Sequence, residues 1–392
     1  MKTSVKRRPF GDTGLFVSEV SLGAMNLRLT STREEAEKTV DRVLDLGINL
    51  IDTAFAYTGV NPAGENIASE DIVGTVIERR RDIDEPIVII TKNHGYTPDV
   101  FDEEFRISCE RLRIRKEGGK LYIGTTEIKL VVFFHGIMSE RWETTKSSGS
   151  IDHVLGRIKN GDLTYLGFSA HYGDGDTIRE AIETGAFKVM ELPYNVFNRS
   201  IGEDGKFDCQ AYAKAHGMAV INMKTFNGNS MVPMSRIIND VCSITYADML
   251  RFVLSDPNIT TCDCGAKYAH EFEEDVRVSL LPPLTPDERA AMKATADRVS
   301  GLMNGICREC MHCMEKFSCP QGINFPVILG NYSRLRMAES LGKDTQPYID
   351  AYRAMPDPRA DACVACGSCL EWCEYHLDIP AELAKVRERM QK

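Results

Sequence analysis

From residue 19 to about 280, short apolar runs alternate with amphipathic stretches, and they do so eight times. The runs are EVSLGAM (19–25), NLIDTAF (49–55), PIVIITK (86–92), IKLVVFFH (128–135), LTYLGFS (163–169), FKVMELPY (187–194), MAVINMK (218–224) and NITTCDCG (258–265). They are nearly continuous in apolar residues, as strands covered on both faces must be. Between them apolar positions recur at helical spacing. STREEAEKTVDRVLDLG offers Ser31 or Thr32 as N-cap and Gly47 as C-cap, and IDHVLGRIKNG and DTIREAIETG are built the same way. Eight such units predict an α/β chain folded as a (β/α)8 TIM barrel over residues 1–283. A doubly wound open sheet is the rival, but it rarely needs eight regular units. The GG and the alternation in RKEGGKLYIGTTE (115–127) suggest an added hairpin or loop ahead of the fourth strand.

Near residue 282, PPLTPDERAAMKATADRV turns helical, and a second domain, 284–392, begins there. It contains two cysteine runs: Cys307-x2-Cys310-x2-Cys313-x5-Cys319 and Cys363-x2-Cys366-x2-Cys369-x3-Cys373. Three cysteines at successive x2 spacings can wrap one cubane cluster, and in two-cluster ferredoxins the fourth ligand comes from the other run. By that rule Cys307, Cys310, Cys313 and Cys373 hold one [4Fe–4S] cluster, and Cys363, Cys366, Cys369 and Cys319 hold the other. Zinc ribbons use pairs of CxxC rather than triplets. Between the runs lie helical stretches such as VILGNYSRLRMAESLG and QPYIDAYRAM, so the module resembles an α-helical ferredoxin domain and not the compact βαβ ferredoxin. Cysteines 109, 209, 242, 262 and 264 read as core or incidental thiols.

The net charge of −10 argues against a nucleic-acid or anionic-membrane binder, and no uncharged apolar run reaches a membrane span. KRRPF near the start is followed by neither an apolar region nor a cleavage site, so Arg7 and Arg8 read as surface charge and the chain as cytoplasmic. In that compartment clustered cysteines are metal ligands more often than disulfides.

A barrel of this kind carries its chemistry at the C-terminal ends of its strands. Asp52 and Tyr57 follow the second strand, Lys92 ends the third and His135 the fourth; Ser169, Tyr194 and Lys224 end the next three. An acid, a phenol, a lysine and a histidine from consecutive strands can move a proton to a carbonyl. A lysine ammonium lowers a nearby phenol's pKa, the carboxylate holds the lysine, and the histidine orients the carbonyl.

INLIDTAFAY, SEDIVGTVIERR, IVIITKN and VVFFHG, with RRPFGDTGLFVSEVSLGAMN before them and RIKNGDLTYLGFSAH and ELPYNVFNR after, resemble the aldo/keto reductase family. With the cysteine module, the chain resembles the subgroup that carries a C-terminal ferredoxin-type domain. The resemblance implies a catalytic tetrad of Asp52, Tyr57, Lys92 and His135, with the tyrosine as general acid and hydride from a nicotinamide. It also implies that Ser169 and Glu191 meet the carboxamide, that Tyr194 stacks on the nicotinamide ring, and that Asn222, Lys224 and Gly265 to Lys267 bind the cofactor phosphates. Glu274 and Asp275 stand among the cofactor-binding positions, Asp275 where the family usually has Asn, and Glu271 falls near the ribose 2′ position. A carboxylate there repels a 2′-phosphate and accepts a hydrogen bond from a free hydroxyl, which favours NAD(H) over NADP(H); Lys267 argues the other way.

Hydride carries two electrons and a cluster takes one, so a mediator such as a flavin, whose phosphate a barrel can bind after strands seven and eight, stays open. The first reading is a carbonyl reductase or alcohol dehydrogenase acting on a small molecule, whose clusters exchange electrons with a partner protein or only shape the domain. The alternatives are an electron-transfer enzyme whose clusters feed a barrel-bound cofactor, and a non-catalytic redox sensor.

Overall fold

The structure, a computed structural model, describes residues 5–390 apart from 171–174, 203, 206, 227–233, 304, 310, 312, 315–316 and 374. The strands in chain order are β1 (Arg7–Pro9), β2 (Phe16–Ser18), β3 (Val20–Gly23), β4 (Leu50–Asp52), β5 (Thr58–Val60), β6 (Asn66–Ala68), β7 (Ile87–Asn93), β8 (Arg115–Glu117), β9 (Lys120–Ile123), β10 (Thr126–Phe134), β11 (Tyr165–Ser169), β12 (Val189–Pro193), β13 (Ala219–Met223) and β14 (Thr261–Cys264). Eight of them, β3, β4, β7, β10, β11, β12, β13 and β14, pair in parallel, and the β14–β3 and β10–β11 pairings close the ring. This is a (β/α)8 barrel, with all eight strands where the apolar runs put them.

The local signals explain the elements. In α1 (Arg33–Asp45) the Thr32 hydroxyl accepts from the Glu35 amide at 3.2 Å, and Gly47 past the helix end takes φ +84°, which costs a residue without Cβ little. The hairpin β1–β2 carries Phe10, fully buried, into the barrel interior. Gly11 beside it has φ +60°, and a Cβ there would lie 2.4 Å from the Gly217 carbonyl oxygen. Arg8 is not plain surface charge: it donates to Glu19 at 2.8 Å and to the Leu254 and Ile259 carbonyls, tying this hairpin to the barrel.

The 115–127 insertion is the hairpin β8–β9, and β9 pairs with β10 at Thr126 to Ile128. That is the N-terminal end of the strand, opposite His135.

The chain divides into two compact units, residues 1–225 with 250–283 and residues 226–249 with 284–392. Residues 226–249 thus group with the C-terminal part, although the sequence reading left them in the barrel. Among its described residues the second unit has helices and no strand: Pro286–Ser300, Phe325–Ser340, Gln346–Arg353 and Ile379–Met390, with Ser235–Cys242 from the earlier segment. Phe325, Leu329, Tyr332, Leu335, Tyr352, Leu383 and Val386 form its core, and Cys313 and Cys369 are part of that core. No helix of the described residues is long and apolar enough to cross a membrane.

Candidate active site and cysteine sites

Alternate residues of a barrel strand face the lumen. Leu50, Val88, Ile90, Val131, Phe133, Val189, Ala219 and Ile221 fill it. Continuing the same parity to the C-terminal mouth gives Asp52, Lys92, His135, Ser169 and Glu191. The strand parity therefore delivers the polar set to one place without any special device.

Lys92 is the hub. Its ammonium is hydrogen-bonded to Asp52 Oδ1, lies 3.4 Å from Glu191 Oε2 and sits 5.3 Å from the centre of the Tyr57 ring. Tyr57 meets His135 edge-on, with ring centres 6.0 Å apart at 84°. His94 stacks on the other side of His135 at 4.8 Å, and the Tyr96 hydroxyl donates to the His135 carbonyl, which fixes the loop after β10. Burial works against the charge on Lys92, but Asp52, Glu191, Tyr57 and Asp263 outweigh it and hold its pKa well above the ordinary lysine value. Burial pushes the Tyr57 phenol up, opposed mainly by Lys92. The expected lowering of the phenol is thus reversed, because desolvation of a phenolate outweighs one cation that carboxylates already surround.

One residue at this mouth escaped the sequence reading. Asp263, inside the run TTCDCG, shares the parity of Thr261 and turns its carboxylate to within 4.8 Å of those of Asp52 and Glu191. The available signal was a lone charge within an otherwise uncharged strand, which is costly unless the charge is used.

The nucleotide-binding expectations fare unevenly. Ser169 is buried and its hydroxyl accepts from the Gly136 amide at 3.0 Å. Tyr194 has the opposite parity to Glu191. It is fully buried, its ring lies against Phe252 at 5.9 Å and its hydroxyl donates to Asp256, so it presents no face for a nicotinamide to stack on. Asn222 likewise points out of the lumen; its amide donates to the Tyr194 and Met223 carbonyls and accepts from Thr225, which occupies the groups expected to meet phosphate. Lys224 has φ +58°, and burial lowers its pKa against the pull of Glu191. The Gly265 carbonyl accepts from Asn26 at 2.9 Å. Glu271 caps its own helix (Ala269–Ser279): one carboxylate oxygen accepts from the amides of Lys267 at 2.7 Å and Tyr268 at 3.1 Å. Glu274 is ion-paired with Arg277. Asp275 is buried, with Oδ1 lacking any hydrogen-bond partner among the described residues, and burial raises its carboxyl to about 8. Cys262 and Cys264 are buried thiols within the barrel wall, Cys262 bonded to Thr225 and Asn222.

In the second unit the cysteines fall into two groups. Cys307, Cys313 and Cys373 line one hollow, with Arg308, Phe325 and Trp372. Cys319, Cys363, Cys366 and Cys369 line another, with Phe317 and Ile323. Cys310 lies outside the described residues. The two runs share an uncommon backbone. Glu309 and Met311 flank the middle cysteine of the first with φ +54° and +64°, and Ala365 and Gly367 flank that of the second with φ +52° and +76°. Left-handed conformations at three non-glycine residues cost energy, of order 1 kcal/mol or more each, unless the surroundings impose them. A bidentate ion pair from Arg334 holds Glu309, at 2.7 and 2.9 Å.

A scan against protein families matches the aldo/keto reductase family over residues 19–297, most of the chain. Among curated proteins, two uncharacterized oxidoreductases of Bacillus subtilis (strain 168) are similar. YrpG is 30% identical over 154 residues, 37% of this chain and 46% of the relative, and YqkF is 36% identical over 88 residues, 22% of this chain and 25% of the relative. The matched part of this chain thus spans about half the length of the first relative and a quarter of the second. Among solved structures, the aldo-keto reductase AKR11C1 from Bacillus halodurans in its holo form superposes with a TM-score of 0.58 at 21% identity, covering 74% of this chain and 96% of that one.

Proposed function

Since this chain belongs to the aldo/keto reductase family, we propose that it reduces a small-molecule carbonyl, or oxidises the matching alcohol, with Tyr57 as the acid–base group. The observation that carries this reading is the meeting of Asp52, Tyr57, Lys92 and His135 at the C-terminal mouth of the barrel.

The mouth suits a nicotinamide. Glu191 Oε2 is buried and makes no hydrogen bond among the described residues, so it can accept from a carboxamide N–H, and Ser169 stands near the same rim. Bound NAD(P)H would supply the hydride. Tyr57 keeps its proton at neutral pH because burial disfavours the phenolate, so it stands ready as the donor. The Lys92 ammonium stabilises the negative charge that forms on its oxygen as the proton leaves. Asp52 keeps Lys92 charged and in place. His135, set edge-on to Tyr57, aims the carbonyl oxygen at the phenol. Glu271 already places an anion at the start of the Ala269–Ser279 helix, where a 2′-phosphate would compete with it, and this supports NAD(H) over NADP(H).

The second unit is read as a ferredoxin-type domain with two [4Fe–4S] clusters, Cys307, Cys310, Cys313 and Cys373 holding one and Cys319, Cys363, Cys366 and Cys369 the other. The split of the described cysteines between two hollows supports it, as do the matching left-handed residues around each middle cysteine. Among the described residues no three cysteine sulfurs lie within 4.8 Å of one another. Tetrahedral zinc needs them about 3.8 Å apart, from Zn–S bonds of about 2.3 Å. The clusters would supply one-electron transfer, to a partner protein or to a mediator in the barrel.

The test is direct. Protein purified without oxygen should contain iron and sulfide in the ratio of two cubanes and should oxidise NADH or NADPH in the presence of an aldehyde. Zinc in place of iron would remove the cluster reading. NAD(P)H-independent substrate reduction driven by reduced clusters would replace hydride transfer with the electron-transfer alternative.

A further inference from the structure

The barrel mouth holds more negative charge than its one ammonium can balance. Asp52, Glu191 and Asp263 bring their carboxylate oxygens within 4.8 Å of one another, around Lys92. Asp52 and Glu191 are 1% and 3% exposed. Asp263 is half-buried, and with all four groups ionised the cluster would carry two uncompensated negative charges at a largely desolvated mouth. Like charges this close do not all ionise; a pair of carboxyls in such a site shares a proton. Two independent details point the same way. Asp52 Oδ2 is buried and accepts no hydrogen bond from a donor among the described residues, and Glu191 Oε2 is held only by its 3.4 Å ion pair with Lys92. Asp263 lies within hydrogen-bonding reach of Asp52, a contact between two acceptors that becomes favourable only when one of them carries a proton.

We propose that Asp263 holds a proton in common with Asp52 at neutral pH, beside Glu191, making this carboxyl cluster a proton store behind Lys92 and Tyr57. The Ser21 hydroxyl donates to Asp263 Oδ1 at 2.8 Å and keeps that carboxyl turned into the mouth. The groups facing the cluster are Lys92 and Tyr57 on one side, Lys224 beyond Glu191, and the Cys264 thiol next in the strand. Burial first, and Glu191 second, raise Asp263 to about 7, and burial raises Asp52 well above the usual carboxylate value.

The consequence rests on the carbonyl-reductase reading. Each reduction adds a hydride to carbon and a proton to oxygen, and the proton leaves Tyr57. The phenolate regains a proton through the Lys92 ammonium, Lys92 regains one from the carboxyl cluster, and the cluster refills from solvent. Asp263 is a positioning residue in this scheme; it touches Asp52, not the substrate. Once the cluster has lost its proton, its extra negative charge raises the Tyr57 phenol further and makes it a weaker acid. Carbonyl reduction should then fall as pH rises through about 7.

The store can be seen without turnover. Infrared difference spectra of the full-length protein, recorded between acid and alkaline pH, reveal the carbonyl stretch of protonated carboxylic acids, which carboxylates lack. Asp275, also raised by burial, contributes a band of its own, so the spectra are taken in an Asp275→Asn background. There a protonated-carboxyl band that disappears on titration near pH 7 is expected, lost at neutral pH when Asp263→Asn is added and kept with Asp263→Glu. No such band at pH 7 in the Asp275→Asn protein overturns the proposal, and so does an unchanged band on adding Asp263→Asn. In turnover, the alkaline fall in kcat should move or vanish in Asp263→Asn. Absence of any carbonyl reductase activity, with the band present, would sink the reductase reading and leave the shared proton standing.

Discussion

Lys92 and Asp52 are ion-paired on adjacent parallel strands, each side chain about 1% exposed. The pair is not symmetrical, since Glu191 stands 3.4 Å from the same ammonium while no second cation of the described residues reaches Asp52 within ion-pair distance. Removing Lys92 takes the paired cation from the buried Asp52 and Glu191; removing the charge of Asp52 leaves Lys92 still paired. Lys92→Met should therefore destabilise the barrel by about 3–5 kcal/mol, and Asp52→Asn by clearly less. Denaturant midpoints of the two variants check this, and equal losses would mean that Glu191 and Asp263 do not hold the lysine.

Asp275 is buried with an unpartnered oxygen, and its carboxyl is raised to about 8. Its folded-state pKa lies above the usual Asp value of about 3.9, so the native state binds the proton more tightly than the unfolded chain does. Stability from this group is full below about pH 4 and is lost as pH rises toward about 8. Asp275→Asn has nothing to ionise. Its melting temperature should exceed that of the wild type by a few degrees at pH 8 and converge with it near pH 4. Parallel curves across that range would contradict the burial argument.

The two hollows in the second unit predict which cysteines share a cluster. Cys319→Ala and Cys363→Ala should each lose about half of the iron, and the double variant no more than either. Cys319→Ala combined with Cys373→Ala should lose nearly all of it. Iron and sulfide analysis of anaerobically purified protein distinguishes this pattern from one in which Cys319 belongs with its own run.

Glu271 caps the Ala269–Ser279 helix with a charge, and glutamine can cap with the same geometry. Glu271→Gln should leave the helix intact and raise affinity for NADPH relative to NADH by about two- to fivefold, the worth of about 0.3–1 kcal/mol at a helix start. Dissociation constants for both dinucleotides measure it. An unchanged ratio would place the 2′ group elsewhere.

Much of this was legible in the sequence for simple reasons. The barrel strands are covered on both faces, so their apolar runs stand out, and Gly47 and Thr32 mark their helix's ends plainly. Asp52, Lys92 and His135 were legible because strand ends in a barrel converge by topology. Where Tyr194 and Asn222 point was not legible, because their place at strand ends was noticed but their parity was not: both face outward, to Phe252 and to the neighbouring backbone. Asp263 was hidden between two cysteines that drew attention to themselves. The direction of the Tyr57 shift depends on how deeply the phenol is buried, which spacing alone does not reveal. Residues 226–249 join the second unit through contacts such as Arg334 with Asp240 at 2.9 Å, a pairing across nearly a hundred positions that no local pattern announces.

The most direct measurement is NADH and NADPH consumption with a panel of aldehydes and ketones, by the wild type and by Tyr57→Phe, with cofactor binding and iron content recorded for both. The predicted result is carbonyl-dependent turnover in the wild type, and a loss of about 10²–10⁴-fold in kcat in Tyr57→Phe with cofactor binding and iron unchanged. Turnover that survives in Tyr57→Phe would contradict the assignment of the proton to Tyr57, and with it the central claim.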